Sequence, residues 1–275
     1  MPFVREPAVA GYFYTADAAI LEREVDTMID SAEPPKIEGR LCGLISPHAG
    51  YLYSGPTAAH GYKLLRNTSY DAVIVIGPSH REYFDGITMF PGDSYRTPLG
   101  DVPVNNDLRS MLAESNKKIM VTTKGHRLEH SIEVQLPFLQ RILGAFTFVP
   151  MIMGDQRRAN CEVLAEAIAN VCRNKNVLLI ASSDLSHYHS YDVARQLDDR
   201  VIADIRAFDP DGLMTKLEHE EVEACGGGPI VAALKALALL GCEKTEILSH
   251  CNSGDVTSQY DAVVGYLSAA ILQSN

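Results

Sequence analysis

Asp71-Ala72-Val73-Ile74-Val75-Ile76-Gly77-Pro78-Ser79-His80 is the stretch whose reading decides the fold. Val73 to Ile76 is an unbroken β-branched run, the pattern of a strand buried on both faces. Gly77-Pro78 stops it, and the next side chain with metal or proton chemistry is His80. The pattern recurs twice. Leu41 to Ile45 reads as a short apolar strand, broken by Ser46-Pro47 and followed by His48. Val177 to Ala181 leads through Ser182-Ser183-Asp184 to His187. Ligands of open α/β sheets bind outside the carboxyl ends of the strands. Three strands that end in histidine-bearing turns therefore point to one shared rim.

Helical periodicity fills the gaps between these strands. Ile20, Val25 and Ile29 mark a first helix, ended by Pro34-Pro35. Ser54 reads as the cap of a second, running to about Arg66 with Pro56 in its first turn. Ile132, Leu136, Leu139 and Leu143 recur at four, three and four, so a helix with one buried face starts near His130. Asp155 reads as the cap of a helix carrying Leu164, Ile168 and Val171. Val193, Leu197, Val201 and Ile205 mark another, and Ile230, Leu234 and Leu237 the last. Further strands are expected at 87–90, 146–153, 246–249 and 262–267, the last antiparallel, while Tyr95 to Gly100 reads as irregular. Alternating strands and helices predict an α/β fold, a mostly parallel central sheet flanked by helices, with a right-handed crossover between the His48 loop and the DAVIVI strand. The 275 residues contain no Pro/Ser-rich linker or charge block, so a single domain over residues 1–275 is expected.

With 24 basic and 35 acidic residues the formal charge is -11. That argues against nucleic acid or anionic membrane as a general partner. No basic leader with an apolar core opens the chain, and no stretch approaches the roughly 20 apolar residues of a membrane span. A soluble cytoplasmic protein is expected. The six cysteines form no C-x-x-C pair and are expected to be free thiols in a reducing compartment.

His48, His80 and Cys225 form a candidate metal site, since imidazole and thiolate suit Fe, Cu or Zn and three protein ligands leave open positions. The plain alternative is that these histidines are caps or polar rim. Cys225 opens Cys225-Gly226-Gly227-Gly228-Pro229, where glycines permit close backbone approach. Its place before a helix N-terminus predicts a stabilised thiolate. Asp184 and His187, three apart, suit a carboxylate orienting a general base or helping to hold a metal; the alternative is Asp184 as a cap and His187 in solvent. His130 is a candidate proton donor or anion contact. Glu129 and Glu133 read as favourable first-turn charges. His60, His126, His219 and His250 read as structural or surface residues, and His189 as exposed. No G-x-S-x-G, dinucleotide G-x-G-x-x-G or GK[ST] motif is present. Cys225 with His187 as its base is the remaining hydrolase arrangement.

Seven ordered motifs resemble the Memo family, the Memo-like component of the AmmeMemoRadiSam group, across essentially the whole chain. They are Ala10-Gly11-Tyr12-Phe13-Tyr14, Ser46-Pro47-His48-Ala49-Gly50-Tyr51, Gly77-Pro78-Ser79-His80, Tyr95-Arg96-Thr97-Pro98-Leu99, Glu129-His130-Ser131-Ile132-Glu133, Ser182-Ser183-Asp184 with His187, and Cys225-Gly226 with Pro229-Ile230. The resemblance implies a fold similar to class III, LigB-type extradiol dioxygenases and a pocket associated with redox metal, Fe(II) or copper. It places the ligands on His48, His80 and Cys225, the dioxygenase base on His187, and Asp184 and His130 along the pocket. Those dioxygenases hold iron with two histidines and a glutamate, whereas the third position here falls on Cys225. The animal relatives carry bulkier, basic residues where this chain has Gly227-Gly228. The group's name implies a radical-SAM protein as partner. Three functions are thus expected in competition: metal-dependent redox chemistry on a small molecule, a ligand- or protein-binding module like the animal signalling adaptors, and a cysteine-nucleophile hydrolase.

Overall fold

Alternate residues of the DAVIVI strand feed two different cores. In the computed structural model, which describes residues 2–274, Ile74 and Ile76 join one apolar cluster and Val73 and Val75 the other. Successive strand side chains point to opposite faces, so a continuous aliphatic run needs cover on both. Each fully buried aliphatic side chain contributes about 1.5–3 kcal/mol.

In chain order the elements are β1 (Val4–Arg5), α1 (Ala18–Ser31), β2 (Arg40–Ser46), α2 (Tyr51–Lys63), β3 (Ala72–Pro78), β4 (Ile87–Met89), β5 (Ser94–Thr97), β6 (Gly100–Pro103), α3 (Asn106–Ser115) and β7 (Ile119–Val121). After a short 3-10 turn at Glu133–Gln135 come α4 (Leu136–Leu143), β8 (Phe148–Met153), α5 (Arg158–Cys172), β9 (Val177–Ser182), β10 (His187–His189), α6 (Tyr191–Arg206), α7 (Pro210–Glu218), α8 (Gly227–Leu239), β11 (Lys244–Asn252), α9 (Ser253–Thr257) and β12 (Val263–Gln273). The α/β expectation holds. Strands β2, β9, β3 and β8 are parallel and form the sheet's centre. Its flanks are antiparallel: β12 against β2 on one side, β4 against β8 on the other, with β11 and β10 added on β12 and β7 on β4. The large sheet is therefore mixed. Helices α1, α2 and α4 cover one face, and α3, α5, α6 and α8 the other. Among the described residues no helix is long and apolar enough to cross a membrane.

Three local expectations fail. Helix α2 begins at Tyr51, because Ser54 Oγ donates to the Ala49 carbonyl at 2.9 Å instead of capping, and Pro56 lies inside the helix. The free N–H of Tyr51 is met by the Phe13 carbonyl at 2.7 Å, a contact 38 residues away in the chain. Asp155 accepts from the Arg157 N–H at 2.9 Å and pairs with its guanidinium, and α5 starts only at Arg158. The stretch Tyr95 to Gly100 is not irregular. It holds most of the β5–β6 hairpin, turned at Pro98-Leu99 with Gly100 at φ +117°, and β5 also pairs with β1 in a separate three-stranded sheet.

Candidate metal centre

Adjacent strands β2, β9 and β3 end level with one another, with Ser46 opposite Ser182 and Ile76 opposite Ala181. Each then turns, and the turns carry His48, Asp184 and His80 to one place. The His48 ring lies 5.1 Å from that of His80 and 5.4 Å from that of His130, centroid to centroid. Cys225 enters from the N-terminus of α8, its Sγ 3.1 Å from His48 Nε2. One donor atom from each of His48, His80 and Cys225 lies within 4.8 Å of the other two. Ligand bonds of roughly 2.0–2.3 Å fit such spacings.

The surrounding hydrogen bonds determine which ring nitrogen faces the centre. Ser182 Oγ donates to the Ser131 carbonyl at 2.6 Å and accepts from Gln135 Nε2 at 2.8 Å. Its remaining capacity is as an acceptor, so its 2.9 Å partner, His48 Nδ1, carries the proton. His48 Nε2 is left with a bare lone pair toward Cys225. Burial is the main reason its pKa sits well below the usual histidine range, with the charges of His130 and His80 adding to it. His48 is thus neutral, as a metal ligand must be. At His80 the Nδ1–H meets Glu129 Oε1 at 2.9 Å, and Nε2 has no hydrogen-bond partner among the described residues. Burial works against ionising Glu129, but the hydrogen bonds and charge of His80 outweigh it and hold the carboxyl at about 2. A carboxylate behind a ligating imidazole is the usual second layer of a metal site.

A different trio, His80, Glu129 and His130, also has donor atoms within 4.8 Å. Glu129 is mostly committed to other partners. Its Oε1 accepts from His80 Nδ1, His130 N and Ser131 N, each at 2.9 Å, and Oε2 accepts from His80 N at 2.7 Å. Each carboxylate oxygen has two acceptor lone pairs, so Oε1 is fully used and only Oε2 keeps one.

Cys225 departs from expectation. Its thiol is not activated by the helix N-terminus; burial, followed by the charge of Asp184, pushes its pKa up. The backbone around it is held tightly: Cys225 N donates to the Asp184 carbonyl, Gly226 N to Ser183 Oγ at 2.9 Å, and Gln156 bridges the Cys225 carbonyl and Gly228 N at 2.8 Å each. The expected role of the glycines is visible here. A Cβ on Gly226 would run into the Ser182 carbonyl oxygen, and one on Gly228 into Gln156.

The Asp184 carboxylate faces the backbone of the β2–α2 turn, accepting from His48 N at 2.7 Å. Burial raises its pKa to about 7, partly offset by that bond. It does not pair with His187. That ring donates from Nδ1 to the Leu185 carbonyl at 2.8 Å, leaving Nε2 unprotonated, and burial keeps its pKa below normal. His130 stacks on His80 at 4.8 Å; burial, only partly countered by Glu129, takes its pKa down to about 4. The Phe13 ring covers it at 4.7 Å. Beyond Phe13 lies a groove of about 760 Å³ lined by residues that include Tyr12, Met28, Tyr51 and Leu52.

Glu129, Gln135 and Ser182 escape a reading of the sequence, although they set both imidazoles. So does the partner of Glu133. That carboxylate is buried, paired with Arg5, and accepts from Ala8 N, Val9 N and Tyr14 Oη. Arg5 also donates to the Glu129 and His126 carbonyls, which ties the N-terminal segment to the site. Glu133 does open the 3-10 turn, as a first-turn charge, whereas Glu129 lies ahead of it. The only available cue was the clustering of Glu129, His130 and Glu133.

The sequence model described as "Memo-like protein" matches residues 5–270. A MEMO1 family protein of Thermoplasma volcanium is 41% identical over 96% of this chain and 97% of its own length. MEMO1 family proteins of Methanopyrus kandleri (36%, covering 95% and 96%) and Sulfolobus acidocaldarius (37%, covering 96% and 98%) are similar throughout as well. Among solved structures, that of an uncharacterized Escherichia coli K12 protein superposes with a TM-score of 0.55 at 16% identity, over 84% of this chain and all of that one. That likeness concerns the fold alone. The chain, with its His/His/Cys cluster at the strand ends, belongs to the Memo family.

Proposed function

We propose that His48, His80 and Cys225 hold a redox metal, Fe(II) or copper, and that the protein carries out metal-dependent redox chemistry on a small molecule. The observation that carries this reading is the fixed pair of tautomers. Ser182 and Glu129 each take an Nδ1–H, which leaves both Nε2 atoms for a metal, that of His48 3.1 Å from Cys225 Sγ. Two nitrogens and one sulfur suit a borderline-soft transition metal and leave positions open. When bound, iron or copper would supply Lewis acidity and one-electron chemistry; everything else falls to the chain.

His187, with Nδ1 committed to Leu185 and Nε2 free, is the group to accept a proton from substrate. Asp184 positions the His48 backbone, and His130 with Phe13 above it closes one side against water. The high pKa of the Cys225 thiol supports the metal reading over the nucleophile reading. A neutral thiol is a poor attacking group, whereas a coordinated thiol loses its proton to the metal. A radical-SAM protein remains the partner that the family grouping suggests.

The test is metal content after anaerobic purification, for the wild type and for His48→Ala, His80→Ala and Cys225→Ser. Near-stoichiometric iron or copper that all three changes abolish supports the proposal. Failure to bind either metal after reconstitution sinks it.

A further inference from the structure

Two elements that adjoin proposed ligands each carry a cysteine at the end away from the metal centre. Cys42 lies near the start of β2, which runs on to His48, and Cys242 follows α8, which begins beside Cys225. Strand β12 lies between β2 and β11 and brings the two segments together. Its Leu272 pairs with Leu41 on one side and Lys244 on the other, and the Leu272 carbonyl accepts from the Glu243 N–H at 3.2 Å. On β2 the pairing passes from Leu41 with Leu272 to Gly43 with Ile271, so Cys42 is the extra residue of a bulge. Such a bulge re-aims a side chain. The Gln273 side chain touches both segments. Its Oε1 accepts from the Arg40 guanidinium at 2.8 and 3.2 Å, and its Nε2 lies 3.0 Å from where a Cβ on Gly241 would stand.

Cys42 and Cys242 belong to the same apolar cluster, and their thiols meet, each the other's side-chain hydrogen-bond partner. The Cys42 S–H points at the Arg40 carbonyl, 3.5 Å from Sγ, so the Cys42 sulfur is the acceptor of that bond. The bond from Cys242 outweighs burial and holds the Cys42 thiol at about 7, while it pushes its partner up. Both residues are 4% exposed and sit next to the exposed Arg40 and Gly241. Other cysteines have different partners: Cys161 the Gln156 carbonyl, Cys225 His48 and Cys251 Thr57. A thiolate-prone sulfur in contact with a second thiol is the arrangement in which a sulfenic acid is resolved to a disulfide.

We propose that Cys42 and Cys242 form a redox-active dithiol, oxidised by a small hydroperoxide to a disulfide that ties β2 to the end of α8. Cys42, as thiolate, attacks the peroxide O–O bond; an S–O bond forms and hydroxide leaves. The Cys242 sulfur then attacks the sulfenic sulfur of Cys42. The S–S bond forms, the S–O bond breaks, and the hydroxyl leaves as water with the Cys242 proton. Two electrons pass from the two thiols to the peroxide. The reaction uses no metal and does not rest on the metal-centre reading.

Peptide mapping by mass spectrometry tests this. The folded full chain is treated with hydrogen peroxide at neutral pH, with a chelator present to hold free iron and copper, then alkylated with iodoacetamide and digested without reductant. The Cys42 peptide is expected to be joined to the Cys242 peptide and released by dithiothreitol. The link should form at least about tenfold faster than oxidation of Cys172, whose thiol burial pushes up to about 11. Cys242→Ser should leave a sulfenic acid on Cys42, captured by dimedone, whereas Cys42→Ser should leave none on Cys242. Cys251→Ser should leave the link unchanged. The proposal fails if Cys42 is not oxidised, if it passes to sulfinic acid with Cys242 still free, or if other cysteine pairs form as fast. A link that appears only once urea has unfolded the chain also overturns it.

Discussion

The Glu129 carboxylate grips His80 at two points, its Oε2 accepting from the backbone N–H at 2.7 Å and its Oε1 from ring Nδ1 at 2.9 Å. The residues are 49 apart in the chain, and this pair fixes the position, tautomer and orientation of one proposed ligand. Glu129→Gln puts an amide where four donors converge. We expect metal affinity to fall about 10- to 100-fold, read by competition with a chromogenic chelator. An unchanged affinity would remove His80 from the ligand set.

Ser182→Ala removes the acceptor for His48 Nδ1 and leaves the buried Gln135 amide one partner short. Urea unfolding should show a loss of about 1–3 kcal/mol. Nitrogen-15 spectra of His48 should show the single Nδ1–H form of the wild type giving way to mixed tautomers. A variant with one unchanged tautomer refutes the assignment.

Gly226→Ala forces the Cys225 segment away from the end of β9, because its Cβ meets the Ser182 carbonyl. Destabilisation of about 1–3 kcal/mol is expected, together with loss of metal. Retained metal at wild-type affinity would show that Cys225 is not a ligand.

His126 is fully buried, with Nδ1 2.6 Å from Tyr95 Oη. Burial, then the charge of Arg5, lowers its pKa from 6.5 to about 3. Because the folded value lies below the unfolded one, protons favour the unfolded chain. Stability from this residue is intact above 6.5 and falls by about 1.4 kcal/mol per pH unit as pH drops toward 3. Denaturant midpoints measured from pH 7 to pH 4 should show a slope to which His48 and His130 add and Asp184 subtracts, and His126→Gln should reduce it by about that amount. Glu129, with its lowered pKa, adds a loss in the same direction at the acid end of the range.

Metal-free protein at pH 7 should react with iodoacetamide at Cys225 at least about tenfold more slowly than free cysteine does, since burial disfavours the thiolate. Fast alkylation that abolishes hydrolysis of a test ester would revive the nucleophile reading.

Much of the fold was legible because it is written in local patterns. The β-branched run at Val73 to Ile76 announced a strand covered on both faces, and its alternating residues do feed two cores. The histidines after β2 and β3 were legible for the same reason, since a run of apolar residues ending in Pro and then His is a statement about neighbours in sequence. Capping was read less well. Ser54 and Asp155 have the right residue types, but each found a nearer competing partner.

The sequence by itself thus determined the α/β class, the central strands, and the presence of His48, His80, His187 and Cys225 near strand or helix ends. Only the tertiary structure decided that β9 lies between β2 and β3, so that their turns converge on one point. It also decided that Glu129 and Ser182 orient the imidazoles, that Glu133 is paired with Arg5, and that the surroundings of Cys225 raise its pKa instead of lowering it. The physical reason is range. Propensity and periodicity act over a few residues, whereas hydrogen-bond partners and burial are set by groups tens to hundreds of residues away, which only the packed chain brings together.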